Sequence, residues 1–167
     1  MTQQPLPYRP NVGIALFNNV GLVFAGMALN EGPEAVVPGL EWQMPQGGID
    51  PNEDIETAAR RELFEETGIS HVSFLAATDT WWPYDFPAYD GPPHSLSGFR
   101  GQTQRWVALR FEGEDRDVNV IEPASGLRPE FSTWAWVRLD TLPGMVMPHK
   151  RPTYAKVAEA FRGFCAT

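Results

Sequence analysis

With a single cysteine, Cys165, the chain cannot carry an internal disulfide, and it has no apolar run long enough to cross a bilayer. Its three histidines, His71, His94 and His149, lack the spacing of a zinc site and have no cysteine cluster beside them. Positive charge is also scarce: 13 Lys and Arg against 21 Asp and Glu leave a net charge of −8. A broad nucleic-acid surface is thereby excluded, because binding along a phosphate backbone needs clustered cations. A few residues gripping one 5′ end are still compatible with that balance. The N-terminus, Met-Thr-Gln-Gln-Pro, has neither the basic nor the apolar region of a secretory signal. A cytoplasmic protein in a reducing compartment is the expectation.

What is present suits a soluble α/β protein. A length of 167 residues fits one domain, 1–167, with a sizeable core. No internal repeat or low-complexity tract stands out. The organising stretch runs from Gly47 to Ile69. Asp50, Pro51 and Glu53 read as a helix start and Gly68 as its stop. Within that helix Glu62, Glu65 and Glu66 are three and four residues apart, so at about 100° per residue they share one face, expected at the surface. Like charges at this spacing repel, and anions near a helix C-terminus oppose the macrodipole. A hard divalent cation reverses both penalties, and Mg²⁺ or Mn²⁺ takes such oxygen ligands. A solvated face partly neutralised by Arg60 and Arg61 is the alternative.

Flanking segments complete the pattern. Pro5 to Pro10 reads as extended, Asn11 to Phe17 as a buried strand, and Leu22 to Ala25 as its partner after a turn at Asn18-Asn19. Val72 to Ala77, Gly101 to Phe111 and Trp134 to Val137 read as further strands, with a solvated turn from Glu112 to Asp117. Thr80 to Gly101 reads as one long loop. Its Trp81, Trp82, Tyr84, Phe86 and Tyr89 offer either a stacking surface for a base or packing against the sheet. Tyr154, Val157, Phe161 and Phe164 form an apolar stripe on a helix over Thr153 to Cys165, with Thr153 near its start. His149-Lys150-Arg151-Pro152 puts cations just before that helix, a good anion site.

Gly47, Glu53, Arg61, Glu62, Leu63, Glu65, Glu66, Gly68 and Ile69 fill every specified place of the Nudix box, and the chain is similar to Nudix hydrolases over nearly its whole length. The runs Trp42-Gln43-Met44-Pro45-Gln46-Gly47-Gly48, Trp81 to Pro87 and Gly101 to Trp106 resemble the branch that acts on RNA 5′ ends or dinucleoside polyphosphates. The resemblance implies a mixed sheet sandwiched between helices. It also implies a pyrophosphohydrolase whose Glu62, Glu65 and Glu66 hold Mg²⁺ or Mn²⁺, helped by Glu130 and a backbone carbonyl near Gln46 or Gly47. Glu65 and Glu130 are both candidates for the proton acceptor. Glu53 and Arg61 are expected to orient the carboxylates. Arg9, Tyr84, Lys150 and Arg151 are expected at the substrate, with Lys150 on a phosphate.

The implied partner is a nucleoside polyphosphate or a 5′-phosphorylated RNA end, with no membrane. Two departures weaken the RNA grip: Met27 and Ala28 stand where RNA-acting members often carry arginines, and His149 where some carry an aromatic. A catalytically silent module that binds a nucleotide as a regulator is the alternative in another class, but it would be marked by loss of a box glutamate, and none is lost. An unrelated metal-binding scaffold does not account for the flanking runs.

Overall fold

The computed structural model describes residues 2–166. Two long strands lie at its centre, β1 (Tyr8–Phe17) and β7 (Gly101–Phe111), paired in parallel along their full length. Strands read as apolar runs where both faces are covered, as over Val12 to Phe17 and Trp106 to Leu109. On one face Val12, Ile14, Leu16, Val107 and Leu109 pack against Ala58, Ala59 and Leu63 of α1 (Ile55–Thr67). On the other, Ala15, Phe17, Trp106 and Ala108 pack against Tyr154, Val157 and Phe161 of α2 (Arg151–Ala160) and its following turn. The expected sheet between helices is therefore present.

The sheet runs β3-β2-β1-β7-β5, with β2 at Val23–Ala28, β3 at Trp42–Gln43 and β5 at Val72–Ala77. β4 (Gln46–Gly48) pairs with the start of β1, β6 (Trp82–Asp85) with β7, and β8 (Phe131–Val137) with β2. All of these pairings except β1–β7 are antiparallel. β1 contacts β2 only near its end, at Phe17 and Val23, and β4 takes over at Asn11 to Gly13. That divergence opens the sheet where the box loop enters. Among the described residues no helix is long and apolar enough to cross a membrane.

Three local expectations are corrected. The helix starts at Ile55 with Asp54 as N-cap, its carboxylate accepting from the Thr57 N–H at 2.9 Å, not at Asp50. Asn52 has φ +64°, a left-handed conformation no helix admits, and Asp50 and Glu53 instead close a turn through two bonds of 3.1 Å. At the other end Gly68 has φ +73° and caps the helix as expected. The segment Thr80 to Gly101 is not all loop, since Trp82–Asp85 adds a strand to β7 with Pro83 on it. Finally, α2 starts at Arg151 rather than Thr153 and stops at Ala160, a short 3₁₀ turn carrying Phe164.

Candidate active site

Where β1 and β2 part, a cavity of about 390 Å³ opens between the box loop, the C-terminal half of α1 and the start of β8. Glu62 and Glu66 line it from α1, Gly47 and Gly48 from β4, and Glu130 from the residue before β8. Glu130 is brought there by chain pairing, because its carbonyl accepts the Leu29 N–H at 2.9 Å as β8 runs beside β2. Arg9 of β1 and Arg128 stand on the same wall. An acidic floor thus meets two cations.

The helix is fixed to the box loop by Arg61. Its Nε and NH2 each donate to Glu53 at 2.8 Å, and NH2 also donates to the Gly48 carbonyl at 2.9 Å. Its NH1 donates to Glu62 at 2.8 Å and lies 3.4 Å from Glu65. The expected Glu53–Arg61 pair is therefore formed, and two parallel bonds give it direction as well as charge. The guanidinium holds the Glu53 carboxyl below its usual range. Glu65, half-exposed, stands outside the cavity wall.

The three remaining acids are held in their neutral direction. Burial pushes Glu62 up to about 7 against the pull of Arg61. Burial, then Glu130, Glu62 and Glu65, push Glu66 well above the carboxylate range, with the Gln46 backbone as a small counterweight. The protein packed around the Glu130 carboxyl raises it too, and Arg128 opposes this. Glu66 is buried rather than at the surface, a correction that follows from the way the box loop folds over the end of α1.

Among the described residues no three His, Cys, Asp or Glu side chains converge on one point. Whether the acids present suit a divalent cation is decided by Glu66 and Gly47. Oε2 of Glu66 is buried with no hydrogen-bond partner, a costly state for a carboxylate oxygen and the one a hard cation relieves. A Cβ at Gly47 would collide with the Glu62 carboxylate, so glycine keeps the box-loop backbone against it. The donor set is all oxygen. The residues fit a hard divalent cation.

The cationic substrate residues divide. Arg9 is in the cavity, its NH1 donating to Gln102 at 3.1 Å. Lys150, by contrast, is 3% exposed and off the cavity wall, its Nζ 3.0 Å from Glu34 and donating to Gln43 at 3.1 Å. Tyr84 is buried, and its hydroxyl donates to Glu34 at 2.6 Å, so it offers no stacking face. Arg151 is exposed at the first residue of α2. Sequence reading missed Glu34, which sits in a Gly-Pro-Glu turn with no local feature to single it out. It also missed the buried amides Asn11, Gln102 and Gln104. Gln102 and Gln104 alternate with Thr103 and Arg105 in the polar run that opens β7, so no period-2 signal singled them out.

The NUDIX domain model matches residues 7–157. The chain belongs to the Nudix family. Similar curated Nudix proteins are the RNA pyrophosphohydrolase of Rhizobium meliloti, 47% identical over 96% of this chain and 97% of that protein, and the one of Nitrobacter winogradskyi, 44% identical over 93% and 91%. In fold it resembles the Ap4A hydrolase of C. elegans, with a TM-score of 0.56 and 17% identity over 92% of this chain and 98% of the other. It also resembles the dihydroneopterin triphosphate pyrophosphohydrolase of E. coli, with a TM-score of 0.61 and 14% identity over 92% and 99%. The cavity thus lies beside the Nudix box, and this chain is a Nudix hydrolase.

Proposed function

We propose that this Nudix hydrolase cleaves a phosphoanhydride at the 5′-polyphosphate end of RNA in the cytoplasm, using Mg²⁺ or Mn²⁺. The observation that carries the reading is the cavity that joins Glu62, Glu66 and Glu130 to Arg9. Curated relatives at 44–47% identity are named RNA pyrophosphohydrolase, which supports RNA as the substrate class.

In this reading Glu62, Glu66 and Glu130 would hold the cation with a carbonyl of the Gln46–Gly47 backbone, while Glu65 stands beside Arg61 outside the cavity wall. A bound cation would supply Lewis acidity, drawing charge from the phosphate oxygens and lowering the pKa of water. Arg9 meets a distal phosphate. A water oxygen attacks one phosphorus, the bridging P–O bond breaks, and the water's proton passes to Glu65 or Glu130. Glu53 and Arg61 keep Glu62 aimed throughout, as partners behind a ligand do. Tyr84, Lys150 and Arg151 were expected at the substrate. Of these, Lys150 and Tyr84 are held on Glu34, and Arg151 is exposed off the cavity wall.

Free dinucleoside polyphosphates are a second reading, favoured by Met27 and Ala28 on the β2 end and by the net charge of −8. The two separate in an assay of 5′-triphosphorylated RNA against diadenosine tetraphosphate, with Mg²⁺ and with chelator. Faster metal-dependent release of phosphate or pyrophosphate from RNA is the expected result. Preference for the dinucleotide would move the function to nucleotide clearance. Absence of turnover on both would leave a regulatory binding module.

A further inference from the structure

Along the cavity wall, at Glu34, Asn11, Gln102 and Gln46, lies a run of buried and half-buried polar side chains that no step above uses. The parallel register of β1 and β7 pairs Arg9 with Gln102 and Asn11 with Gln104. Alternation along each strand puts all four on one face. Asn11, Gln102 and Gln104 are each at most 1% exposed. A side-chain amide has a donor end and an acceptor end, so two orientations fit the same space, whereas an ionised carboxylate only accepts. One carboxylate can therefore set the direction of every amide in contact with it.

Glu34 is that carboxylate. Its Oε2 faces the Lys150 ammonium at 3.0 Å and the His149 ring at 3.3 Å. Its Oε1 accepts from the Tyr84 hydroxyl at 2.6 Å and from Gln102 Nε2 at 3.0 Å. With its nitrogen turned to Glu34, Gln102 must turn its oxygen the other way, where it accepts from Arg9 NH1 at 3.1 Å and Asn11 Nδ2 at 2.8 Å. Asn11 Oδ1 then accepts from Gln104 Nε2 at 2.8 Å, and the same nitrogen donates to Gln46 Oε1 at 2.9 Å. The chain of amides runs one way, from Glu34 to Arg9 and to the box loop.

We propose that Glu34, acting through the fixed orientation of Gln102, is a positioning residue that aims the Arg9 guanidinium into the cavity. If Gln102 were flipped, its amide nitrogen would face the guanidinium and two donors would oppose each other. An unheld arginine keeps its rotamer freedom and loses more of it on binding a phosphate. Fixing the side chain in advance removes that cost. The absence of a Cβ at Gly48, against which the guanidinium lies, leaves room for the held position.

The proposal rests on Arg9 as a phosphate contact, so the test separates the two. Steady-state turnover of 5′-triphosphorylated RNA is measured for wild type, Arg9→Ala, Gln102→Met and the double variant, with melting curves for each. Gln102→Met should raise KM about five- to tenfold and leave kcat within about twofold, the signature of lost binding that is uniform along the reaction. In the Arg9→Ala background it should add nothing, because the group it positions is gone. Where Gln102→Met unfolds, Glu34→Gln/Lys150→Met carries the same test, removing both buried charges together. It should raise KM in the same direction by less, and again only when Arg9 is present.

Independent, multiplying effects of the Arg9 and Gln102 changes would overturn the positioning role while leaving Arg9 as a phosphate contact. A normal KM for Arg9→Ala would remove the phosphate contact itself, and the positioning role with it.

Discussion

Glu34 and Glu66 are two buried carboxylates bordering one cavity, and their surroundings are opposite. Glu34 is met by Lys150, His149, Tyr84 and Gln102, so although burial pushes its carboxyl up, Lys150 and the donors hold it far below the usual range. Glu66 has three further carboxylates around it and an oxygen with no partner, and it is driven the other way. Burying a charge is costly unless it is paired. The closed carboxylate is satisfied within the fold, and the open one is left for a ligand in the proposed reading.

The largest effect that would break this comparison is on stability. Glu34→Gln leaves the Lys150 ammonium buried beside a neutral amide, and loss of one partner of a buried pair costs about 3–5 kcal/mol. Denaturant unfolding should show that loss, and a normal midpoint would mean that Glu34 is not closed in this sense. Glu66→Gln should do the reverse. Turnover should fall by at least about a hundredfold, a loss that changing even a group behind a metal ligand can reach, while the metal-free protein keeps or gains thermal stability.

Saturating cation comes next. At about a hundred times its dissociation constant Mg²⁺ should stabilise wild type by about 2.7 kcal/mol, and Glu66→Gln by much less, as read from melting temperatures with and without chelator. The smallest effect concerns pH and sharpens the sign. Glu62, raised to about 7, adds stability that is present below its unfolded value and lost as pH rises through 7. Metal-free wild type should therefore melt higher at pH 5 than at pH 8 on account of this group, and Glu62→Gln should lose that difference. For Glu34, whose value is lowered, the stability is present above the unfolded value and disappears only as strong acid is approached.

The same pair shows what could be read from the sequence. Glu66 could be singled out because its pattern is local: a helical spacing with Glu62 and Glu65, inside a fixed pattern of glycine, arginine and aliphatic residues. The Glu53–Arg61 pair was legible for the same reason. The apolar runs Val12 to Phe17 and Trp106 to Leu109 marked the inner parts of β1 and β7. Glu34 was not legible, because its partner Lys150 lies at the far end of the chain and only the fold joins them. Without Glu34, Lys150 reads as a free cation ahead of a helix, and so it was placed at the substrate. Tyr84 was misread likewise, since the polar partner that buries it comes from another loop. The helix start failed on competition between two signals: Asp50-Pro51 and Asp54 both resemble a cap, and the left-handed Asn52 settles it for Asp54.

Glu66 is proposed as the open carboxylate of a divalent-cation site. Mn²⁺ binding by wild type and by Glu66→Gln, followed by the electron paramagnetic resonance of the free ion, tests it most directly. Wild type should remove Mn²⁺ from solution at concentrations where Glu66→Gln, folded by its melting curve, leaves the ion free. Equal uptake by the two proteins would contradict it.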